Sequence, residues 1–172
     1  MNAKRHIISN TGQLISLEKL TNGYEFIRRL YETIFVPPSV LFEIAHDQYA
    51  SPTDYLAYYG ITDLICVRAV TVSRRWPELE RLHDGEKEAI LLALELNLPL
   101  LIEETMGREI AGSCGIHVSG IAGQILKAYR EGLISGKDAE EKLTQLYSAG
   151  RIGRNMHAGL LADIHADSGG RK

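Results

Sequence analysis

The chain has few cysteines, the residues that form disulfides and bind many structural zinc ions. Only 2 of its 172 residues are cysteines. Cys66 and Cys114 lie in apolar segments, without a CxxC spacing and without a histidine nearby. This pattern predicts two buried free thiols rather than a disulfide or a zinc site.

Several sequence motifs with well-defined chemistry are also missing. The 6 histidines form neither an HxxxH nor an HExxH spacing. The chain contains no GxxxxGK[ST], GxGxxG or Gly-x-Ser-x-Gly motif. These absences argue against a histidine-bound zinc ion, a nucleotide-binding loop and a serine hydrolase.

Long hydrophobic runs and a strong net charge are absent too. The longest apolar stretch, residues 89–102, is interrupted by Glu95, Asn97 and Pro99, so it does not predict a membrane span. The first residues lack a signal-peptide core, and we therefore expect a cytoplasmic protein. With 19 basic and 22 acidic side chains the net charge is -3, so nucleic acid would have to bind through local basic patches.

The hydrophobic pattern predicts a single α/β domain over residues 1–165, followed by a flexible tail over residues 166–172. Short apolar runs predict strands, and amphipathic segments between them predict helices, an alternation that favours a parallel sheet covered by helices. The predicted strands are 6–9, 33–36, 65–72, 98–103 and 116–118, and the main predicted helices are 23–31, 39–45, 84–97, 106–114, 120–131 and 137–148.

Several polar residues stand where such a sheet binds its ligands. Asn10 and Glu104 follow predicted strands, and parallel α/β sheets bind ligands at the carboxyl ends of their strands. Glu88 is followed directly by the apolar run 89–94, so its carboxylate needs a partner. Glu43 lies on the helix after Pro38. These positions predict a divalent-metal site.

Each of these residues also has a simpler interpretation. Asparagine is a good helix N-cap, so Asn10 is as well explained by the start of the next helix. Glu86 and Glu88 would complement the positive end of a helix dipole, an interpretation that we favour for Glu86. Glu43 alone would be a solvated side chain. Glu103 and Glu104 are adjacent, so one is expected to face solvent and the other a cation.

Taken together, the segments ISNTGQLI, VPPSVLFEI and GEKEAILLALELNLPLLIEE and the closing helices resemble a PIN domain of the VapC-like nuclease type over residues 6–160. The resemblance implies a three-layer α/β/α fold with a central, mainly parallel sheet. The four acidic positions of the family correspond to Asn10, Glu43, Glu88 and Glu104. The hydroxyl that follows the first of these corresponds to Thr11. Glu86 and Glu103 are adjacent acids that can supply further negative charge.

The resemblance also implies an activity, which is cleavage of RNA by a water that Mg²⁺ or Mn²⁺ activates. Such an enzyme could be the toxin of a toxin–antitoxin pair, with an antitoxin protein and a homodimer as expected assemblies. The metal ligands would be Glu43, Glu88 and Glu104. Local charge suggests that RNA phosphates bind to Arg28, Arg29, Arg74 or Arg75.

The departure from the family pattern is Asn10, because an amide oxygen can coordinate a metal but carries no negative charge. We therefore keep a second hypothesis, a degenerate PIN domain that binds RNA or a partner protein without cutting. A third, an unrelated Rossmann-like phosphohydrolase, is disfavoured because no acid-rich phosphatase motif follows the first strand.

Overall fold

A computed structural model describes residues 5–46, 48–72 and 76–169 of the chain. The contacts divide it into two compact units. The first unit comprises residues 1–15 and 30–120, and the second comprises residues 16–29 and 121–172. Within the described ranges, no helix combines the length and the apolar character that a membrane span requires.

The first unit contains a five-stranded sheet with the order β3-β2-β1-β4-β5, in which every pair of neighbours is parallel. The predicted α/β/α class with a mainly parallel central sheet is thereby confirmed. Because β1 pairs with both β2 and β4, the order of the strands reverses between β1 and β4. The strands are β1 His6–Ser9, β2 Thr33–Val36, β3 Ile65–Val67, β4 Leu100–Leu101 and β5 Val118–Ser119.

Nine α-helices and one short 3₁₀ helix occur in the part of the chain that the structure describes. The 3₁₀ helix, Pro77–Arg81, was not predicted. The α-helices are α1 Thr11–Glu18, α2 Gly23–Arg28, α3 Pro38–Ala45, α4 Pro52–Tyr59, α5 Asp84–Leu96, α6 Thr105–Ser113, α7 Ile121–Arg130, α8 Gly136–Ser148 and α9 Arg154–Gly169.

The core of the first unit forms where α5 packs against the centre of the sheet. Ile8 of β1 and Leu100 of β4 are fully buried, as are Ile90 and Leu92 of α5. The apolar run of α5 that stood out in the sequence therefore faces the two central strands. Burial of this kind stabilises a fold by roughly 25 cal/mol for each Å² of apolar surface removed from water.

Two strands are shorter than predicted. The strand predicted over residues 65–72 ends at Val67. The reason is that the backbone N–H groups of Thr71 and Val72 donate to the carboxylate of Glu95, at 2.8 and 3.3 Å, instead of to a neighbouring strand. The strand predicted over residues 98–103 is reduced to Leu100 and Leu101.

The two cysteines are free, but the prediction that both are buried was wrong. Cys66 is exposed and Cys114 is only partly buried. Cys66 lies on β3, an edge strand in which Val67 is exposed as well. Cys114 is the C-cap residue of α6, so its side chain lies at the end of the helix rather than within the core.

The second unit is helical and contains α2, α7, α8 and α9. Its core includes Tyr129, Leu143 and Ile164, and the Tyr129 hydroxyl donates to the carbonyl of Ile164 at 3.3 Å. Helix α8 begins with a capping box formed by Ser135 and Asp138. Helix α9 extends to Gly169, so residues 166–169, which the sequence assigned to a flexible tail, are its last turn.

Candidate functional site

The reversal of strand order between β1 and β4 brings the residues after these strands together. The backbone N–H of Asn10, directly after β1, donates to the carbonyl of Leu101 at the end of β4, at 3.2 Å. Glu103 and Glu104 follow two and three residues later. Ligands of parallel α/β sheets bind at such a point, at the carboxyl ends of the strands. This edge of the sheet is the candidate site.

Asn10 is buried at this edge, with 4% of its surface exposed. Its Oδ1 accepts a hydrogen bond from the backbone N–H of Gln13 at 3.1 Å, which makes Asn10 the N-cap of α1. The capping interpretation is therefore correct. It is compatible with a place in the site, because the cap fixes the side chain at the carboxyl end of β1.

Glu43 connects three elements at the site. Its carboxylate accepts hydrogen bonds from the Thr11 hydroxyl and from the backbone N–H of Gly85, the latter at 2.9 Å. Glycine at position 85 allows this close contact, since a Cβ atom there would lie 2.8 Å from Cδ of Glu43 and would displace the carboxylate. Helices α1, α3 and α5 thus converge on one carboxylate.

Glu88 is partly buried, and its carboxylate has a hydrogen-bond partner, as expected for an acid beside an apolar run. Its carboxylate accepts a hydrogen bond from the Ser39 hydroxyl. Ser39 stands one turn before Glu43 on α3, so both acids lie where α3 and α5 face each other. Ser39 and Gly85 were not singled out in the sequence, because their partners lie 49 and 42 residues away along the chain.

Glu103 and Glu104 have different surroundings, although both follow the end of β4. Glu104 is exposed, and it caps α6 by accepting from the backbone N–H of Gly107 at 2.6 Å. Glu103 is partly buried and accepts from Nε2 of Gln13 at 3.2 Å. A Cβ atom at Gly120 would lie 2.7 Å from Oε1 of Glu103, so a larger residue there would displace the end of this side chain. Gln13 and Gly120 were not recognised from the sequence.

The electrostatics of Glu86 indicate that negative charge accumulates at this edge. Burial raises the pKa of Glu86, and the charges of Glu104 and Glu43 raise it further. Backbone and charge effects of His83 oppose the rise. Like charges that cost free energy in this way favour the uptake of a proton or a cation.

The donor set suits a hard divalent cation, because Mg²⁺ and Mn²⁺ prefer carboxylate and amide oxygens. In the described ranges, no three His, Cys, Asp or Glu side chains are arranged so that they could hold a metal ion together. The carboxylates of Glu43, Glu88 and Glu104 instead accept hydrogen bonds from hydroxyl and backbone N–H groups.

Two of the four arginines suggested for RNA binding have contacts within the second unit. Arg28 forms an ion pair with Glu25 at 3.6 Å, and Arg29 donates to the carbonyl of Leu133 at 2.9 Å. Both arginines belong to the second unit. Arg74 and Arg75 lie outside the described residues. Their proposed contacts with RNA remain predictions.

Comparison with known proteins gives one family and one related structure. Residues 6–164 match the family model described as "DUF3368: PIN domain". The chain is also similar to the solved structure of a PilT N-terminus domain protein from the hyperthermophilic archaeon Sulfolobus solfataricus P2. The identity is 18% and the TM-score 0.44, and the similarity covers 67% of this chain and 87% of the archaeal one. No curated protein matches the chain.

Proposed function

Because the chain belongs to the PIN-domain family, we propose that it is a divalent-metal-dependent ribonuclease, with Asn10, Glu43, Glu88 and Glu104 as its catalytic residues. The observation that carries the proposal is the meeting of Glu43 and Glu88 between α3 and α5, with Thr11 donating to Glu43. Two acids and a hydroxyl from three separate segments thus meet at the edge of the sheet where α/β folds bind ligands.

In this proposal, Glu43, Glu88 and Glu104 bind Mg²⁺ or Mn²⁺, and the amide oxygen of Asn10 supplies a neutral ligand. The bound ion would lower the pKa of a water and neutralise charge on the phosphate. Thr11 and Ser39 orient the carboxylates of Glu43 and Glu88 through their hydrogen bonds. Glu86 and Glu103 add negative charge beside the ligands.

RNA is the proposed substrate, and the VapC-like motifs favour a toxin of a toxin–antitoxin pair. An antitoxin protein and a homodimer are the corresponding proposed partners, and the cytoplasm is the proposed location. Arg28, Arg29, Arg74 and Arg75 are the proposed phosphate contacts. These assignments rest on the motifs and on local charge.

Cleavage of single-stranded RNA in the presence of Mn²⁺ tests the proposal. We expect cleavage by the natural chain and a loss of about a hundredfold or more in Glu88→Gln, since the substitution removes the charge of a metal ligand while keeping its shape. Glu109→Gln, which changes an exposed acid on α6, is the matched control and should cleave normally. Absence of cleavage with any RNA tried would contradict the proposal.

A degenerate PIN domain that binds RNA or a protein without cutting is the second candidate. The observation in its favour is Asn10, which lacks the charge of the family's first acid and uses its Oδ1 to cap α1. This candidate predicts that the protein binds no Mn²⁺ at millimolar concentration. Binding of Mn²⁺ that disappears in Glu88→Gln would exclude it.

A further inference from the structure

The aromatic residues of this chain are unevenly distributed. Aromatic residues make up 7% of the sequence, yet four of its 8 tyrosines lie within residues 49–59. In the structure their rings contact one another. Tyr49 lies 5.2 Å from Tyr55 and 5.6 Å from Tyr58, and Tyr58 lies 4.9 Å from Tyr59, between ring centroids. The four tyrosines therefore form one cluster around α4.

Part of this cluster is open to solvent and continues onto α3. Tyr58 is 73% exposed and Phe42 is 60% exposed, both high fractions for large aromatic side chains. The exposed ring of His46 lies 5.6 Å from the ring of Phe42. A hollow of about 100 Å³ lies among Phe42, His46 and Tyr49 and is also lined by Ser51. We call Phe42, His46, Tyr49 and Tyr58 the aromatic surface.

The stretch of chain that carries the aromatic surface has acidic side chains and no lysine or arginine. Residues 30–67 contain no lysine and no arginine. They contain five acids, so their formal charge is -5, and it is -3 if a divalent cation is assigned to Glu43. The acids are Glu32, Glu43, Asp47, Asp54 and Asp63. One carboxylate lies near the hollow, because Asp54 accepts from the Ser51 hydroxyl at 2.7 Å.

This combination favours a cationic partner over a nucleic acid. Nucleic acids bind mainly through lysine and arginine contacts to phosphates, and this stretch of chain offers none. Tyrosine and phenylalanine faces attract guanidinium and ammonium groups, and carboxylates beside them add ion pairs. Exposed aromatic side chains are also enriched at protein interfaces.

We propose that the aromatic surface docks a protein segment that presents arginine side chains among apolar residues. Guanidinium groups stack on Phe42 and Tyr58, an apolar side chain enters the hollow beside His46 and Tyr49, and Asp54 forms an ion pair at its rim. The interaction requires neither a bound metal nor nuclease activity, so it stands apart from the proposed function.

A fluorescein-labelled peptide of alternating arginine and leucine tests the inference, with a glutamate–leucine peptide as its counterpart and no metal added. Anisotropy titration of the full chain should give binding of the arginine peptide only. Phe42→Ala and Tyr58→Ala should each weaken it about fivefold, equal to about 1 kcal/mol, which is the contribution of an exposed cation–π contact. Both side chains are exposed, so the fold should tolerate their loss.

Tyr147→Ala is the matched control, because it removes a tyrosine that is 37% exposed on α8, in the second unit, and it should bind as the natural chain does. Amide NMR shifts should change at residues 42–58. Equal binding of the two peptides, or unchanged affinity in Phe42→Ala and Tyr58→Ala, would overturn the inference. Shifts of the same amides that are caused by oligouridylate and not by the peptide would also overturn it. They would identify a surface that binds nucleobases.

Discussion

Asn10 has one role in the fold and a second, proposed role in the site. Its side chain caps α1 through Gln13 and is buried at the end of β1, a position where the resemblance to PIN domains predicts an acid. Aspartate caps helices as well as asparagine does. The fold therefore does not require the amide, and replacing it with a carboxylate would change mainly the charge of the site.

Asn10→Asp should accordingly strengthen the site. We expect Mn²⁺ affinity to rise about tenfold, equal to about 1.4 kcal/mol, because ligand charge sets the affinity for hard cations. RNA cleavage should rise with it, while thermal stability in the absence of metal stays similar or falls slightly because of the added like charge. Calorimetric titration with Mn²⁺ measures the change. Asn155→Asp, an exposed position on α9, adds the same charge elsewhere and should have no effect.

Glu86 provides a pH-dependent prediction. Its pKa is raised above the usual 4.5, mainly by burial and then by the charge of Glu104, so the folded state favours the protonated form. Ionised Glu86 therefore destabilises the fold progressively as pH rises through the raised pKa, and the penalty is absent below 4.5. Glu86→Gln should be more stable than the natural chain at pH 7 and similar to it in acid.

Urea unfolding at pH 4 and pH 7 measures this difference. Glu109→Gln, which changes an exposed acid, should show no such pH dependence. A Glu86→Gln chain that is less stable than the natural one at pH 7 would mean that the Glu86 carboxylate is stabilised in the fold, contrary to the raised pKa.

At the residue scale, the sequence could indicate the acids but not their partners. Glu43 and Glu88 were recognisable because motifs surround them. Ser39, Gly85 and Gln13 were not, since a hydroxyl, a glycine and an amide acquire their roles only when α1, α3 and α5 are brought together. Pairing across 49 residues, as between Ser39 and Glu88, depends on tertiary packing that local patterns do not encode.

At the scale of elements, the start of α5 is fitted closely to α3. Gly85 lies in the first turn of α5, and its backbone N–H donates to Glu43. The absence of a side chain allows this approach, since a Cβ atom would lie 2.8 Å from both Cδ and Oε1 of the carboxylate.

Gly85→Ala should displace the Glu43 carboxylate and lower RNA cleavage about tenfold or more, because small misplacements of catalytic groups have large effects on rate. Alanine is itself the better helix former, so the fold should persist. Gly112→Ala is the matched control, as a Cβ atom at Gly112 on α6 would meet nothing within 4 Å. Full activity in Gly85→Ala would show that the position of Glu43 is not critical.

The sequence pattern predicted most of the helices and strands, but it placed the ends of several of them wrongly. The boundaries of β1 and β2 agree with the structure, because β-branched runs there end at Asn10 and Pro37. The strand after residue 65 was predicted too long because its backbone turns to Glu95, a side chain 24 residues away from Thr71. Helix α9 was missed because its sequence has little amphipathic pattern and ends in Asp-Ser-Gly.

At the scale of the molecule, the parallel sheet explains why residues distant in sequence can form one site. The chain leaves the parallel strands β1 and β4 at the same edge of the sheet, and α3 and α5 place Glu43 and Glu88 beside this edge. Alternation of strands and helices predicted such a sheet. The order of its strands, and hence the neighbours of Asn10, required the structure.

The most direct test of the central claim is the position of a bound ion. Crystals of the full chain soaked in millimolar Mn²⁺ would locate it by anomalous diffraction. Our account predicts an ion at about 2.2 Å from carboxylate oxygens of at least two of Glu43, Glu88 and Glu104, and none in crystals of Glu88→Gln. An ion bound elsewhere, or no ion in the natural chain at that concentration, would contradict it.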